Sequence, residues 1–142
     1  MDLLDVNILV YAHRAESDRH REYRDWLEKL VGGGLPFAVS DHVLSGFIRV
    51  VTNPRVFDRP SPLETAIQAV DSLRSESNCV ILVPGPRHWD IFKILCRKAD
   101  VRGNLVADAW LAALAIEGGC EMVTTDRDFA RFPGLKFRHP FK

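Results

Sequence analysis

The chain has 142 residues, 46% of them hydrophobic and 27% charged, and its 19 basic and 19 acidic side chains cancel to a net charge of zero. That length suits one domain spanning residues 1–142 with a core of its own, and the balanced charge excludes a global basic field for gathering nucleic acid, so any such contact falls to local patches. No basic leader precedes an apolar stretch at the start and no apolar run reaches membrane length, so a soluble cytoplasmic protein without membrane contact is expected.

Leu3 and Leu4 open a short strand that ends at Asp5. Residues Val6 to Ala12 are apolar nearly throughout, and a short helix carrying Ile8, Leu9 and Tyr11 is expected there. Ser17 is placed to cap a polar helix, about Asp18 to Val31, with Tyr23, Trp26, Leu27 and Leu30 on one stripe. The run Gly32–Gly33–Gly34 stops it. Phe37 to Val39 reads as a strand, and Ser40 caps a helix whose core face is Val43, Leu44, Phe47, Ile48 and Val51. Asn53–Pro54 ends that helix, and Arg55 to Pro62 is a basic loop punctuated by proline.

Leu63 to Glu76 is the next helix, with Ala66, Ile67, Val70 and Leu73 inward. A β-branched strand at Val80 to Val83 follows, and Pro84–Gly85–Pro86 turns the chain into a helix over His88 to Ala99. Asn104 is placed as the cap of a helix from Leu105 to Glu117, closed by Gly118–Gly119. Glu121 to Thr124 is a strand, Asp126 leads a short helical turn toward Phe132, and Leu135 to Phe137 makes an edge strand. Short strands alternating with helices imply a parallel sheet covered on both faces.

Three acids stand out from these elements. Asp5 follows the first strand, and open parallel sheets form their sites beyond the carboxyl ends of strands; a turn or helix cap explains the residue equally well. Asp126 follows the apolar pair Met122–Val123 and has the same alternative, a cap on the turn that starts at Arg127 with Asp128 near its start. Asp108 is sharper. At about 3.6 residues per turn it shares a stripe with Leu111, Ala112 and Ala115, where an ionised carboxylate costs several kcal/mol unless paired. Two carboxylates about 4 Å apart repel by roughly 4 kcal/mol at an effective dielectric of 20. A site that gathers three therefore wants a cation, and oxygen donors without His or Cys suit Mg²⁺ or Mn²⁺. Such ions serve phosphoryl chemistry.

The other residue types point elsewhere. Cys79, Cys96 and Cys120 lack metal-ligand spacing and read as inert thiols in a reducing compartment. The five His are scattered without paired spacing. Trp26, Trp89 and Trp110 fall on helical apolar faces and are expected in the core. Phosphate contacts are sought among Arg14, Arg19, Arg21, Arg24, Arg49, Arg55, Arg59, Arg102 and Arg127, with Arg49 first and Arg102 next; a solvated surface charge is the ordinary role for each.

With these residues placed, the chain resembles a PIN-domain ribonuclease, and specifically the VapC-type toxins of type II toxin–antitoxin systems. The resemblance rests on L-L-D-V-N at the start, S-D-H-V-L-S-G-F-I-R-V-V-T-N-P-R-V-F in the middle, G-N-L-V-A-D-A-W-L-A-A-L-A-I-E-G-G, and V-T-T-D-R-D-F, in that order. It implies a three-layer α/β/α sandwich with a short parallel central sheet and Mg²⁺-dependent endonuclease action on structured RNA, tRNA or rRNA. It also implies neutralisation by a VapB-like antitoxin, with a homodimer expected. Under that resemblance Asp5 and Asp108 are the metal ligands and Asp126 joins them as a catalytic acid. Asn7 completes the opening motif, and Thr125 and Asp128 support the cluster. Ile8, Leu9 and Val10 serve either the core or a dimer or antitoxin groove.

One position departs from the family pattern. A Glu is usual on the helix after Ser40, and Gly46 stands there, which keeps open a catalytically weak member that only binds RNA or antitoxin. Two other classes share an Asp after the first strand. A haloacid-dehalogenase-like phosphatase needs an acid where this chain has Asn7, and a phosphoacceptor receiver needs an early acidic pair and a late Lys. Neither pattern is obvious here.

Overall fold

The computed structural model describes all residues, 1–142. Five short strands, β1 (Asp2–Leu4), β2 (Phe37–Val39), β3 (Cys79–Ile81), β4 (Glu121–Val123) and β5 (Phe137–Arg138), form one sheet in the order β3-β2-β1-β4-β5. Every pairing is parallel. Phe37, Ala38 and Val39 are all buried, the continuous apolar run that a strand covered on both faces requires.

Helices α1 (Val6–His13), α2 (His20–Gly32), α3 (Asp41–Val51) and α4 (Leu63–Arg74) pack on one another, and α5 (His88–Lys98) packs on α6 (Asn104–Gly118). The sheet lies between the two groups, which gives the expected three-layer sandwich. No helix is long and apolar enough to cross a membrane. The chain lays β2 and β3 on one side of β1, then returns to place β4 and β5 on the other. The order thus reverses between β1 and β4, and the crevice beyond their carboxyl ends is where such sheets bind ligands. Register pairs Leu3 with Met122 and Leu4 with Val123, so Asp5 and Thr124 leave the sheet side by side.

Most expected elements form within a residue or two of their sequence limits, and Ser40 caps α3 by accepting the Val43 N–H. Four details differ. Ser17 does not cap α2; the helix opens from Arg19 in a left-handed conformation with no side-chain cap. Asn104 is the first helical residue of α6 rather than its cap. Gly103 takes the cap position at φ 59, ψ −127, a backbone conformation open only to glycine. The third strand starts and ends slightly earlier than expected, at Cys79 and Ile81. Trp89 is 60% exposed rather than in the core, whereas Trp26 and Trp110 pack against it. Ile8, Leu9 and Val10 are core residues.

Candidate active site

Asp5 does two local jobs at once. Its N–H donates to the Val123 carbonyl at 3.1 Å, closing the β1–β4 ladder, and its extended backbone starts α1, whose first N–H, from Val6, donates to Asp5 Oδ1 at 2.7 Å. The other oxygen, Oδ2, accepts the Thr124 hydroxyl at 2.6 Å. Thr124 Oγ1 accepts in turn from the Asp126 N–H at 3.0 Å, and Asp126 Oδ1 accepts from the Asp128 N–H at 2.8 Å. A relay of hydrogen bonds therefore links the end of β1 to the 3₁₀ turn at Arg127–Arg131. Both capping roles read from the sequence, for Asp5 and for Asp126, are filled. They leave free lone pairs on each carboxylate.

Asp5 is buried, and burial pushes its carboxyl above the usual carboxylate range. The Thr124 and Val6 hydrogen bonds pull it back, and the Asp126 charge raises it further. Asp108 lies on the fifth residue of α6, past any cap, beside buried Leu111, Ala112 and Ala115. Its carboxyl is raised to about 6, first by burial and then by the charges of Asp126, Asp5 and Asp128, with Arg131 opposing. Four acids from three separate segments thus lie within electrostatic reach of one another. No three His, Cys, Asp or Glu side chains stand close enough to ligate one ion together. A hard cation that keeps most of its water and uses one or two carboxylates suits this donor set; an all-protein cage does not. Asp5 and Asp108 are the residues with the burial and charge to hold it.

Thr124, not singled out in the sequence, carries the hydrogen bond to Asp5. Thr125 beside it is half-buried and makes no side-chain hydrogen bond. Nothing local tells the two threonines apart; only the β1–β4 register selects the first. Arg131 was also missed: its Nε donates to the Asp128 carbonyl at 3.0 Å, and its Nη2 lies 3.3 Å from Asp128 Oδ1. Asn7 is half-buried on the first turn of α1. Gly46 faces α1 closely, and a Cβ built there would meet Val6 Cγ2 at 3.1 Å. A side chain at that position fits only if Val6 gives by a few tenths of an ångström.

The basic candidates divide into two groups. Arg14, Arg19 and Arg24 are spent on Glu16, Glu22 and Glu28, and Arg102 is exposed beside Asp100 at 3.3 Å. Arg21, Arg49, Arg55, Arg59 and Arg127 are exposed and in no ion pair.

A parallel sheet with acids at its topological switch point is the frame of the PIN domain, and the PIN-domain family model matches residues 3–135. The chain belongs to that family. It is 49% identical over 137 residues to the VapC ribonuclease Mb2897 of Mycobacterium bovis, covering 96% of this chain and 93% of that one. It is 40% identical over 140 residues to ribonuclease VapC25 of Mycobacterium tuberculosis, covering 99% of each. Within the family it is a VapC-type member. The fold also matches the crystal structure of VapBC2 from Rickettsia felis bound to a promoter DNA fragment, with a TM-score of 0.70, 22% identity and 97% of both chains covered. The crystal structure of Mycobacterium tuberculosis VapC20, described as a sarcin–ricin loop cleaving toxin, matches with a TM-score of 0.66 at 16% identity, covering 95% of this chain and 98% of that one.

Proposed function

We propose that this chain is the endoribonuclease toxin of a type II toxin–antitoxin pair, cutting structured RNA (tRNA or rRNA) with Mg²⁺, for which Mn²⁺ substitutes. The observation that carries it is the gathering of Asp5, Asp108 and Asp126 at the β1/β4 switch point, where burial first and then the neighbouring acids' charges raise Asp108 to about 6, a cost that a divalent cation relieves. Asp5 and Asp108 hold the cation, partly through water. When bound, the ion supplies Lewis acidity and a water of lowered pKa.

The chain's own groups do the rest. Thr124 and the Val6 N–H fix the Asp5 carboxylate in one orientation. Asp126 accepts a hydrogen bond from the attacking water and aligns it with the phosphodiester. Asn7, Thr125 and Asp128 line the polar surroundings, and Arg49 and Arg102 bind the RNA backbone. A VapB-like antitoxin, as in the VapBC complexes that share this fold, holds the toxin in check in the cytoplasm. Exposed Trp89 and Ile94 on α5 favour a homodimer, which light scattering measures directly.

The test is cleavage of total RNA by wild type and Asp5→Asn, with and without EDTA. Loss of cutting in both arms is expected; undiminished, EDTA-resistant cutting by the variant rules the reading out. Gly46 favours a second reading, a binder that does not cut. Growth arrest on expression, relieved by Asp108→Ala, separates toxin from binder.

A further inference from the structure

Between α3 and α4 the chain runs from Thr52 to Pro62 without a helix or strand. This stretch is about twice the ordinary length of a connection between elements, about 4–6 residues. It is fastened at both ends. The Asn53 carbonyl accepts the N–H groups of Val56 and Phe57 at 3.0 and 3.1 Å, and Asn53 Oδ1 accepts that of Arg55 at 2.9 Å. The Ser61 N–H donates to the Val51 carbonyl at 2.8 Å.

The bolt beneath it is Arg14, whose side chain is only 12% exposed. Its Nη1 donates to Ser61 Oγ at 2.9 Å, its Nη2 to the Arg59 carbonyl at 2.7 Å and its Nε to Glu16 at 2.7 Å. The guanidinium also lies 4.2 Å from the centre of the Phe57 ring. Fixing an arginine this fully gives up rotamer entropy, so the loop is held in one shape at a cost.

The shape it holds presents Arg55 and Arg59 to solvent, neither in an ion pair. Arg49, on the last turn of α3 leading into the loop, is equally exposed and unpaired. Asp58 is the one acid among them, so three cations stand against one anion on this run. The α3 helix is 11 residues, or about 16 Å, long and begins beside the carboxyl end of β2. The loop at its far end is therefore out of reach of the bond being cut but within reach of neighbouring nucleotides. The open notch of about 500 Å³ under the loop is lined by Arg14, Glu16, Asp58 and Arg59 together with Val56 and Phe57. With Phe57 already covered by Arg14 and four charged residues in its walls, the notch offers few apolar anchors for an amphipathic partner helix. Unpaired guanidinium forks carried on a fixed backbone match phosphate.

We infer that the Arg14-bolted loop Asn53–Ser61 is a second RNA-contact element, in which Arg55 and Arg59 grip the backbone away from the scission point and set which phosphodiester reaches the acids. The inference rests on the endoribonuclease reading and adds a register device to it. Arg14 is a positioning residue.

The experiment uses the full chain and a synthetic single-stranded RNA containing a sequence that the wild type cuts. Binding is measured in the Asp5→Asn background across a salt series. Arg55→Ala with Arg59→Ala is expected to weaken binding and to flatten the slope of log K against log salt by about 1.4, roughly 0.7 per lost phosphate contact. In the active protein the same pair should raise KM more than it lowers kcat. Arg14→Lys keeps the charge but loses the fork; it should preserve the slope and spread the cut over neighbouring positions. An unchanged slope and an unchanged cut site in the double variant overturn the inference alone. So does intact RNA binding with weakened antitoxin binding, which gives the loop to the protein partner. A wild type that neither binds nor cuts RNA overturns the endoribonuclease reading as well.

Discussion

Thr124 donates its hydroxyl to Asp5 Oδ2 at 2.6 Å although 119 positions separate the two residues. Thr124 Oγ1 accepts the Asp126 N–H at 3.0 Å, so one buried hydroxyl orients one acid and anchors the loop that carries another. Thr124→Val keeps the shape and removes both bonds. It should cost about 1–3 kcal/mol of stability, because a buried carboxylate oxygen and a backbone N–H lose their partner. Since the Thr124 bond is what lowers the Asp5 pKa most, that pKa should rise further. Chemical denaturation gives the first number, and NMR titration of the Asp5 carboxyl carbon follows the second.

Asp108 makes a signed prediction for stability in the absence of metal. Its folded pKa of about 6 lies above the ordinary aspartate value of 3.8, so between those values the native state binds more protons than the unfolded chain. Stability contributed at this site is present at low pH and is lost as pH rises toward 6. Asp108→Asn should therefore stabilise the EDTA-treated protein at pH 7 to 8, by about 1–2 kcal/mol after allowing for the residue's partial exposure. The gain should vanish near pH 4. Added Mg²⁺ should stabilise the wild type and leave the variant little changed, as melting curves at two pH values would show.

Gly46 and Val6 should behave as a coupled pair. Alanine at position 46 gains up to about 1 kcal/mol of helix propensity, but its Cβ would press on Val6 Cγ2 at 3.1 Å. Val6 is β-branched and sits in α1, where its rotamer is stiff. Gly46→Ala alone is expected to be neutral or destabilising, and the same change in a Val6→Ala background stabilising. The double-mutant cycle should show a coupling of about 0.5–1 kcal/mol; strict additivity would mean the two helices do not press on each other there.

Arg49 and Arg102 carry the prediction for ionic strength. If each meets a phosphate, removing either should weaken RNA binding for all sequences alike and lower the salt slope by just under 1. Filter binding with the Asp5→Asn protein at several salt concentrations measures it. Arg102 is exposed beside Asp100, so Asp100→Asn should strengthen binding.

Much of this architecture was legible before any coordinates. Strands and helices alternate plainly, and Asp108 betrays itself by sitting among Leu111, Ala112 and Ala115, where hydrophobic burial alone would not put a charge. Asp5 and Asp126 were legible as residues following strands, but their proximity was not, because it depends on β4 pairing with β1 across the whole chain. The same non-local pairing decides between Thr124 and Thr125, which look identical from within V-T-T-D. Arg14 shows the opposite failure. Its neighbours in sequence suggest a surface cation, while its partners come from 45 to 47 positions away. Caps went wrong where glycine or a left-handed residue served in place of a side-chain oxygen, as at Gly103 and Arg19.

The central strand of the sheet is the first made, and the strand that completes the acid cluster beside it is nearly the last. On a ribosome, Asp5 emerges with no Thr124 or Asp126 to meet until 119 further residues have been added. A nascent chain shorter than that cannot bring the acids together, because the strand that sets Thr124 and Asp126 beside Asp5 does not yet exist.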